Sequence, residues 1–195
     1  METSTPTTCT SVLKKMDWCQ GKPVKPGIRR RAFIMAYDDV VKFADFERDT
    51  LGRATSATYN GGHTFREGAK FLVIDHLPDK AEPKSDPQGE YPSQTFNNQL
   101  TLVHPEVGPE ATAAITPFLN TDVVVLVEDM YGRFRQFGGQ NWPARVAPSQ
   151  ALGQGATGTS ATTLTITAAD EVSMPFYNGP IPTEDGTINE EGEGA

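Results

Sequence analysis

Short apolar runs separated by turn residues dominate the chain. Residues 31–37 and 69–75 are brief apolar stretches, the second carrying Phe71, Leu72, Val73 and Ile74. Residues 94–104 end in alternation, with Leu100 and Leu102 on one face and Thr101 and Val103 on the other, as a strand requires. Residues 122–128 hold Val123-Val124-Val125-Leu126-Val127, the most apolar run and the expected central strand. Asp129-Met130-Tyr131-Gly132 follows, and a glycine that accepts positive φ there predicts an antiparallel hairpin into 133–137. Residues 161–169 set Leu164 and Ile166 against Thr163, Thr165 and Thr167, the pattern of a half-buried strand. One helix is expected, from Pro109 to about Leu119. Pro109 suits a first turn, Glu110 suits the positive helix end, and Ala111, Ala113 and Ala114 favour the conformation. Pro117 should shorten or kink it.

Two stretches lack such patterning. Residues 77–92 contain four prolines, and 138–158 contain five glycines and two prolines, so both read as long irregular loops. Residues 1–12 are polar and Thr-rich, expected as a flexible arm; 179–195 read as a flexible acidic tail. Deleting 184–195 should then leave the melting temperature nearly unchanged. Residues 13–178 remain as a single β-rich domain. The expected fold is mainly β, an antiparallel β-sandwich or barrel-forming domain with one short helix and long loops.

Composition sharpens this picture. The 195 residues include 18 glycines, 15 prolines and 22 threonines, which suits short strands and turns better than a helical bundle. No run approaches the ~18 apolar residues of a membrane helix, and the first residues lack the basic and apolar blocks of a secretion signal. A net charge of −8 argues against a dedicated nucleic-acid binder. The charge is uneven. Seven bases and one acid lie between Lys14 and Arg31, whereas five acids and no base lie from Glu184 onward. This reads first as a solvated basic loop and a disordered acidic tail, the alternative being that the basic end of one copy meets an acidic face of the next.

Site chemistry is sparse. His63, His76 and His104 fall on separate segments without metal-ligand spacing, and Asp38-Asp39 reads as turn chemistry. Gly153-Gln154-Gly155-Ala156-Thr157-Gly158 lacks the Gly-Lys-Ser/Thr ending of a phosphate loop, and a β-patterned segment follows it. No GxSxG occurs, and Cys9 and Cys19 are the only cysteines, too few for a disulfide framework. No catalytic residue, metal or cofactor is expected.

The middle of the chain has a recognisable order. Cys19-x-Gly21 and Gly27-Ile28 precede Ala36-Tyr37-Asp38-Asp39-Val40, and Thr95-Phe96-Asn97-Asn98-Gln99-Leu100-Thr101-Leu102 follows. After the helix come Val123 to Asp129 and Gly132, then Gly155-Ala156-Thr157-Gly158, Thr163 to Thr167, and Pro175-Phe176-Tyr177. Over roughly 18–178 this resembles small virion proteins of tailed phages and prophages of Bacteroidetes with a tail-tube-like fold. The Arg29-Arg30-Arg31 run, the Pro-rich 77–92 and the acidic extension after 178 depart from that pattern. The resemblance implies a non-enzymatic tail tube or neck subunit in the virion, made in the host bacterial cytoplasm. It implies a homo-oligomeric ring, a hexamer, with neighbouring virion proteins as further partners and DNA only as passing cargo. Arg29, Arg30 and Arg31, on a loop expected to project before the first strand, join Tyr91 and Trp142 as expected subunit-interface residues. The alternative is a monomeric β-sandwich binding module for carbohydrate or a receptor, using exposed Tyr91, Trp142 and Tyr177.

Overall fold

The computed structural model describes residues 13–189. Its strands run β1 (Ile28–Ala36), β2 (Val40–Lys42), β3 (Phe46–Arg48), β4 (Ala54–Tyr59), β5 (Thr64–Phe65), β6 (Leu72–Asp75), β7 (Glu82–Gln88) and β8 (Thr95–His104). Helix α1 (Pro109–Ile115) and a 3-10 segment (Thr116–Asn120) precede β9 (Asp122–Asp129), β10 (Phe134–Phe137) and β11 (Ala144–Ala151). Then come β12 (Ala161–Asp170), β13 (Phe176–Tyr177), β14 (Ile181–Thr183) and β15 (Gly186–Ile188). The protein is mainly β with one short helix, as its patterning predicts.

The valine run becomes β9 and is buried on both faces. Val123, Val125 and Val127 enter one core with Ile34 of β1, Leu100 and Leu102 of β8 and Leu164 and Ile166 of β12. Val124 and Leu126 enter a second core with Phe33, Phe46, Tyr59, Phe71, Phe134 and Tyr177. A strand covered on both sides has no position for a polar residue, which is why the run is unbroken.

Along one edge, β9 pairs first with β10 and then with β11, while β1 takes the other edge. Between β10 and β11 the chain leaves the ladder at Gly138 and returns at Ala144, the excursion being closed by a Gly139 N–H to Trp142 carbonyl bond of 2.9 Å. Gly138 has φ 88°, and a Cβ there would lie 2.7 Å from Ala144 N and 2.8 Å from Val123 O. Glycine alone permits that approach. The eleven-stranded sheet forks at this point, one branch continuing through β13, β4 and β3, the other through β12, β8 and β7. The β4–β13 contact, Thr58 opposite Phe176, is parallel, so the sheet is mixed rather than purely antiparallel. Leu77 N–H bonds Val103 O at 2.9 Å, linking the end of β6 to β8, so β6-β1-β9-β11-β12-β8 curls around the first core. Ile115 and Phe118 pack against that core from the helical segment. The α-helix stops before Pro117, and the 3-10 turn carries the chain on, as the proline requires.

Three sequence expectations change. The stretch 77–92 is not wholly irregular: β7 forms within it despite Pro83 and Pro87. Both prolines share one parity on a strand paired only with β8, so their missing N–H groups can lie on the open edge. Within 138–158, β11 likewise forms across Pro148, where β12 is its partner strand and the pairing with β9 has already ended. Residues 179–189 are not a loose tail, because β14 and β15 form a hairpin, Ile181 is fully buried and Phe71 N–H bonds Pro182 O at 2.8 Å. Two isoleucines flanking a Glu184-Asp185-Gly186 turn outweigh the acidic composition there. The expected arm 1–12 and the residues from 190 onward lie outside the described residues.

Val125→Asp should abolish folding, since an unpaired carboxylate at a fully buried position costs several kcal/mol, comparable with a domain's whole stability. A soluble variant with an unchanged melting curve would refute that. Deleting 184–195 should now lower the melting temperature by several degrees, at roughly 2–4 °C per kcal/mol for a chain of this size, because β14 loses its partner strand. Calorimetry of the truncated chain gives the answer.

Candidate functional site

The five expected interface residues are not brought together. Arg29, Arg30 and Arg31 lie inside β1, not on a loop before it. The β1–β9 register slips there: Ile28 faces Asp129 and Ala32 faces Val127, so four steps on β1 span two on β9. Such a bulge pushes backbone out of the ladder and re-aims its side chains. Arg29 pairs with Glu128 at 2.7 Å and Arg31 with Asp75 at 3.6 Å. Arg30 is exposed, and its side chain makes no hydrogen bond or ion pair among the described residues. Trp142 lies at the other end of β9, in the excursion that rejoins the ladder opposite Val123. The six positions between the two ends correspond to roughly 20 Å. Tyr91 stands alone, 90% exposed, between β7 and β8. Tyr177, expected to be an exposed loop aromatic, is instead fully buried on β13, donating to Pro180 O and accepting from His63 N–H. The three-aromatic platform of a glycan-binding surface is therefore not formed.

Trp142 borders a polar cleft of about 180 Å³, lined also by Asp45, Arg48, Tyr59, Gly139, Asp170 and Glu171. Arg48 is fully committed, donating to Asp45 at 2.9 Å, to Gly52 O at 2.9 Å and to both carboxylate oxygens of Glu171. Two carboxylates on one guanidinium, with Asp170 beside them, leave the cleft net acidic. Tyr59 is held by a 4.4 Å stack on Phe46 and is only 5% exposed, yet its hydroxyl has no hydrogen-bond partner among the described residues. Burial raises its pKa, and the Asp170 charge adds to this. Burial also pushes the Asp170 carboxyl up to about 6, against the Val172 N–H that it accepts at 3.2 Å. A Cβ on Gly139 would lie 3.0 Å from the Tyr59 hydroxyl and 3.5 Å from Asp170 Oδ2. The floor of the cleft is open because residue 139 has no side chain.

Behind the cleft, His63 joins the fork to the second core. Its Nδ1 accepts Ala44 N–H at 2.9 Å, so Nε2 carries the proton and donates to Gln136 Oε1 at 2.8 Å. Gln136 Nε2 in turn donates to Gly138 O at 2.8 Å. Burial pulls the His63 pKa down to about 4 despite the Gln136 bond, so the ring stays neutral and structural. His76 is also buried, with both ring nitrogens unbonded, and burial lowers its pKa. Asp39 is paired with Arg66 at 2.9 Å, and Gly153–Gly158 reaches β12 through a single 3-10 turn. Among the described residues no group of His, Cys, Asp or Glu is placed to hold a metal ion.

A second surface lies at β6. Among the described residues this strand pairs only with β1, and its other edge, where His104 Nδ1 donates to Asp75 O at 2.7 Å, faces an apolar groove of about 530 Å³ bordered by Leu72, Val73, Ala111, Ala114, Ile115 and Phe118. Leu72 is 56% exposed. Residues 13–27 add Met16, Trp18 and Val24 to the exposed apolar surface, the segment being tied down where Lys25 N–H donates to the Tyr131 hydroxyl at 2.9 Å. No helix among the described residues is long and apolar enough to cross a membrane.

Sequence reasoning singled out Trp142 but missed Arg48, Tyr59, Asp170 and Glu171. Its one available signal was Asp170-Glu171 closing an alternating strand. Comparison with protein-family models, curated proteins and solved structures returned no match.

Asp170 and His63 act oppositely on stability. Asp170, raised, favours folding at low pH, and that stability is lost as pH rises from about 4 through about 6. His63, lowered, contributes stability present above 6.5 and lost as pH falls toward about 4. Between these limits the two partly cancel. Asp170→Asn should therefore raise stability at pH 7 by on the order of 2 kcal/mol and steepen the loss on acidification. Urea unfolding at several pH values tests this, and parallel wild-type and variant profiles would refute it.

Proposed function

We propose that the chain is a non-enzymatic structural subunit that assembles with copies of itself, in the tail tube or neck of a phage virion. The observation that carries self-assembly is the β6 edge, which among the described residues has no second strand beside it between its tied ends at Phe71 and Leu77 and borders an apolar groove with exposed leucine and valine. Such an edge is a template for strand addition, and a closed ring satisfies it without runaway growth. The opposite sheet margin is guarded: β7 carries two prolines, which disfavour pairing from that side. Exposed Met16, Trp18 and Val24 supply further apolar surface for a neighbour to cover. The resemblance of residues 18–178 to tail-tube-like virion proteins supports the virion setting and the ring. The net charge of −8 suits a wall past which DNA moves without sticking.

Analytical ultracentrifugation with negative-stain imaging of the wild-type chain should reveal rings or stacked tubes. Leu72→Lys alters a side chain that the subunit already exposes, so the melting temperature should hold while assembly weakens at least tenfold. A wild-type chain that stays monomeric at high concentration and low salt overturns the proposal.

A further inference from the structure

We infer that the acidic cleft at Trp142 is the receptor for Arg30 of a second copy of this chain, giving a head-to-tail contact. This rests on the self-assembly reading above and adds to the β6 edge a second pair of surfaces that meet. Three observations converge on it.

The first is an imbalance of partners. Arg29 and Arg31 are satisfied by Glu128 and Asp75, whereas Arg30, pushed outward by the bulge, has no partner among the described residues. The cleft has the complementary deficit. Its single cation, Arg48, is shared by Asp45 and Glu171, so Asp170 has only backbone N–H donors and no ion pair of its own, and the Tyr59 hydroxyl has no bond among the described residues.

The second is the chemistry of the lining. A guanidinium presents five donors in a plane and stacks on aromatic rings. The cleft offers an indole at its mouth and carboxylates inside, and Tyr59 is nine-tenths buried with an unbonded hydroxyl at its floor. A hexose would leave the acidic excess uncompensated, and an anion would be repelled. A cationic side chain satisfies both.

The third is placement. The bulge and the cleft lie at opposite ends of β9, roughly 20 Å apart, so an arginine cannot fill the cleft of its own chain. Complementary patches at separate places on one surface can meet head to tail, and that heterologous form of the contact, which propagates into rings or stacks, is the one the self-assembly reading calls for.

A double-mutant cycle on the association constant, read by sedimentation of the full chain, tests this. Arg30→Ala removes the donor. Gly139→Ala closes the floor, at a position outside the positive-φ region, where alanine meets no backbone strain. Trp142→Ala serves as a second cleft variant should Gly139→Ala fold poorly. Each single change should weaken association about tenfold, and the double variant should be no worse than either, since one contact is removed only once. Effects that multiply to about a hundredfold, or single variants that associate like wild type, overturn the Arg30 contact while leaving self-assembly intact. A wild-type chain that never associates overturns both readings.

Discussion

Burial of β9 on both faces is the constraint on which the rest of this protein hangs. Five consecutive apolar side chains divide between two cores, so neither core can form without the strand that supplies the other. Each such side chain contributes about 1.5–3 kcal/mol when withdrawn from water, enough in sum to rival the net stability of a domain. The demand extends to its edges. Every amide of a strand so deeply placed needs a partner, and β1, β10 and β11 between them pair both sides. The fork follows, since β10 and β11 share one edge but lead into different branches.

That arrangement makes the polar interior intelligible. His63 is not a reactive group waiting for a substrate, because its proton position is fixed by Ala44 and its other nitrogen is spent on Gln136. Gln136 passes the constraint to Gly138, where the chain leaves the ladder. The network thus ties β10 to the loop before β5, and its neutrality at ordinary pH is the consequence of burial in an aromatic cage of Phe43, Tyr59, Phe65 and Tyr177.

Much of the scaffold was legible because local pattern and burial coincide. The run Val123 to Val127, the alternation of Leu164 and Ile166, the turn at Gly132 and the Pro109 helix start each encode their element within a few residues. What escaped notice depends on partners far away in the chain. Pro83 and Pro148 read as breakers until the sheet shows that each sits where β8 or β12 is the only strand pairing it. Ile181 looked like part of an acidic tail until its pairing with Ile188 and the bond from Phe71 N–H to the neighbouring Pro182 O fixed the segment. The cleft was the least legible feature. Arg48, Tyr59 and Asp170 belong to three strands, and nothing local relates them; the absence of a side chain at Gly139 is what opens the space between them.

The excursion between Gly138 and Ala144 separates two properties that are usually coupled in a β-sheet. It departs from and rejoins the same edge of β9, with its own closing bond, so its length does not set the pairing of any strand. Side chains at 140–142 could be exchanged without touching a buried core side chain, since the core reaches this segment through the Tyr37 hydroxyl, which donates to the Gln140 backbone carbonyl at 2.7 Å. The wall of the cleft is therefore free to change while the two cores stay fixed, so its chemistry is set by one short segment and not by the scaffold.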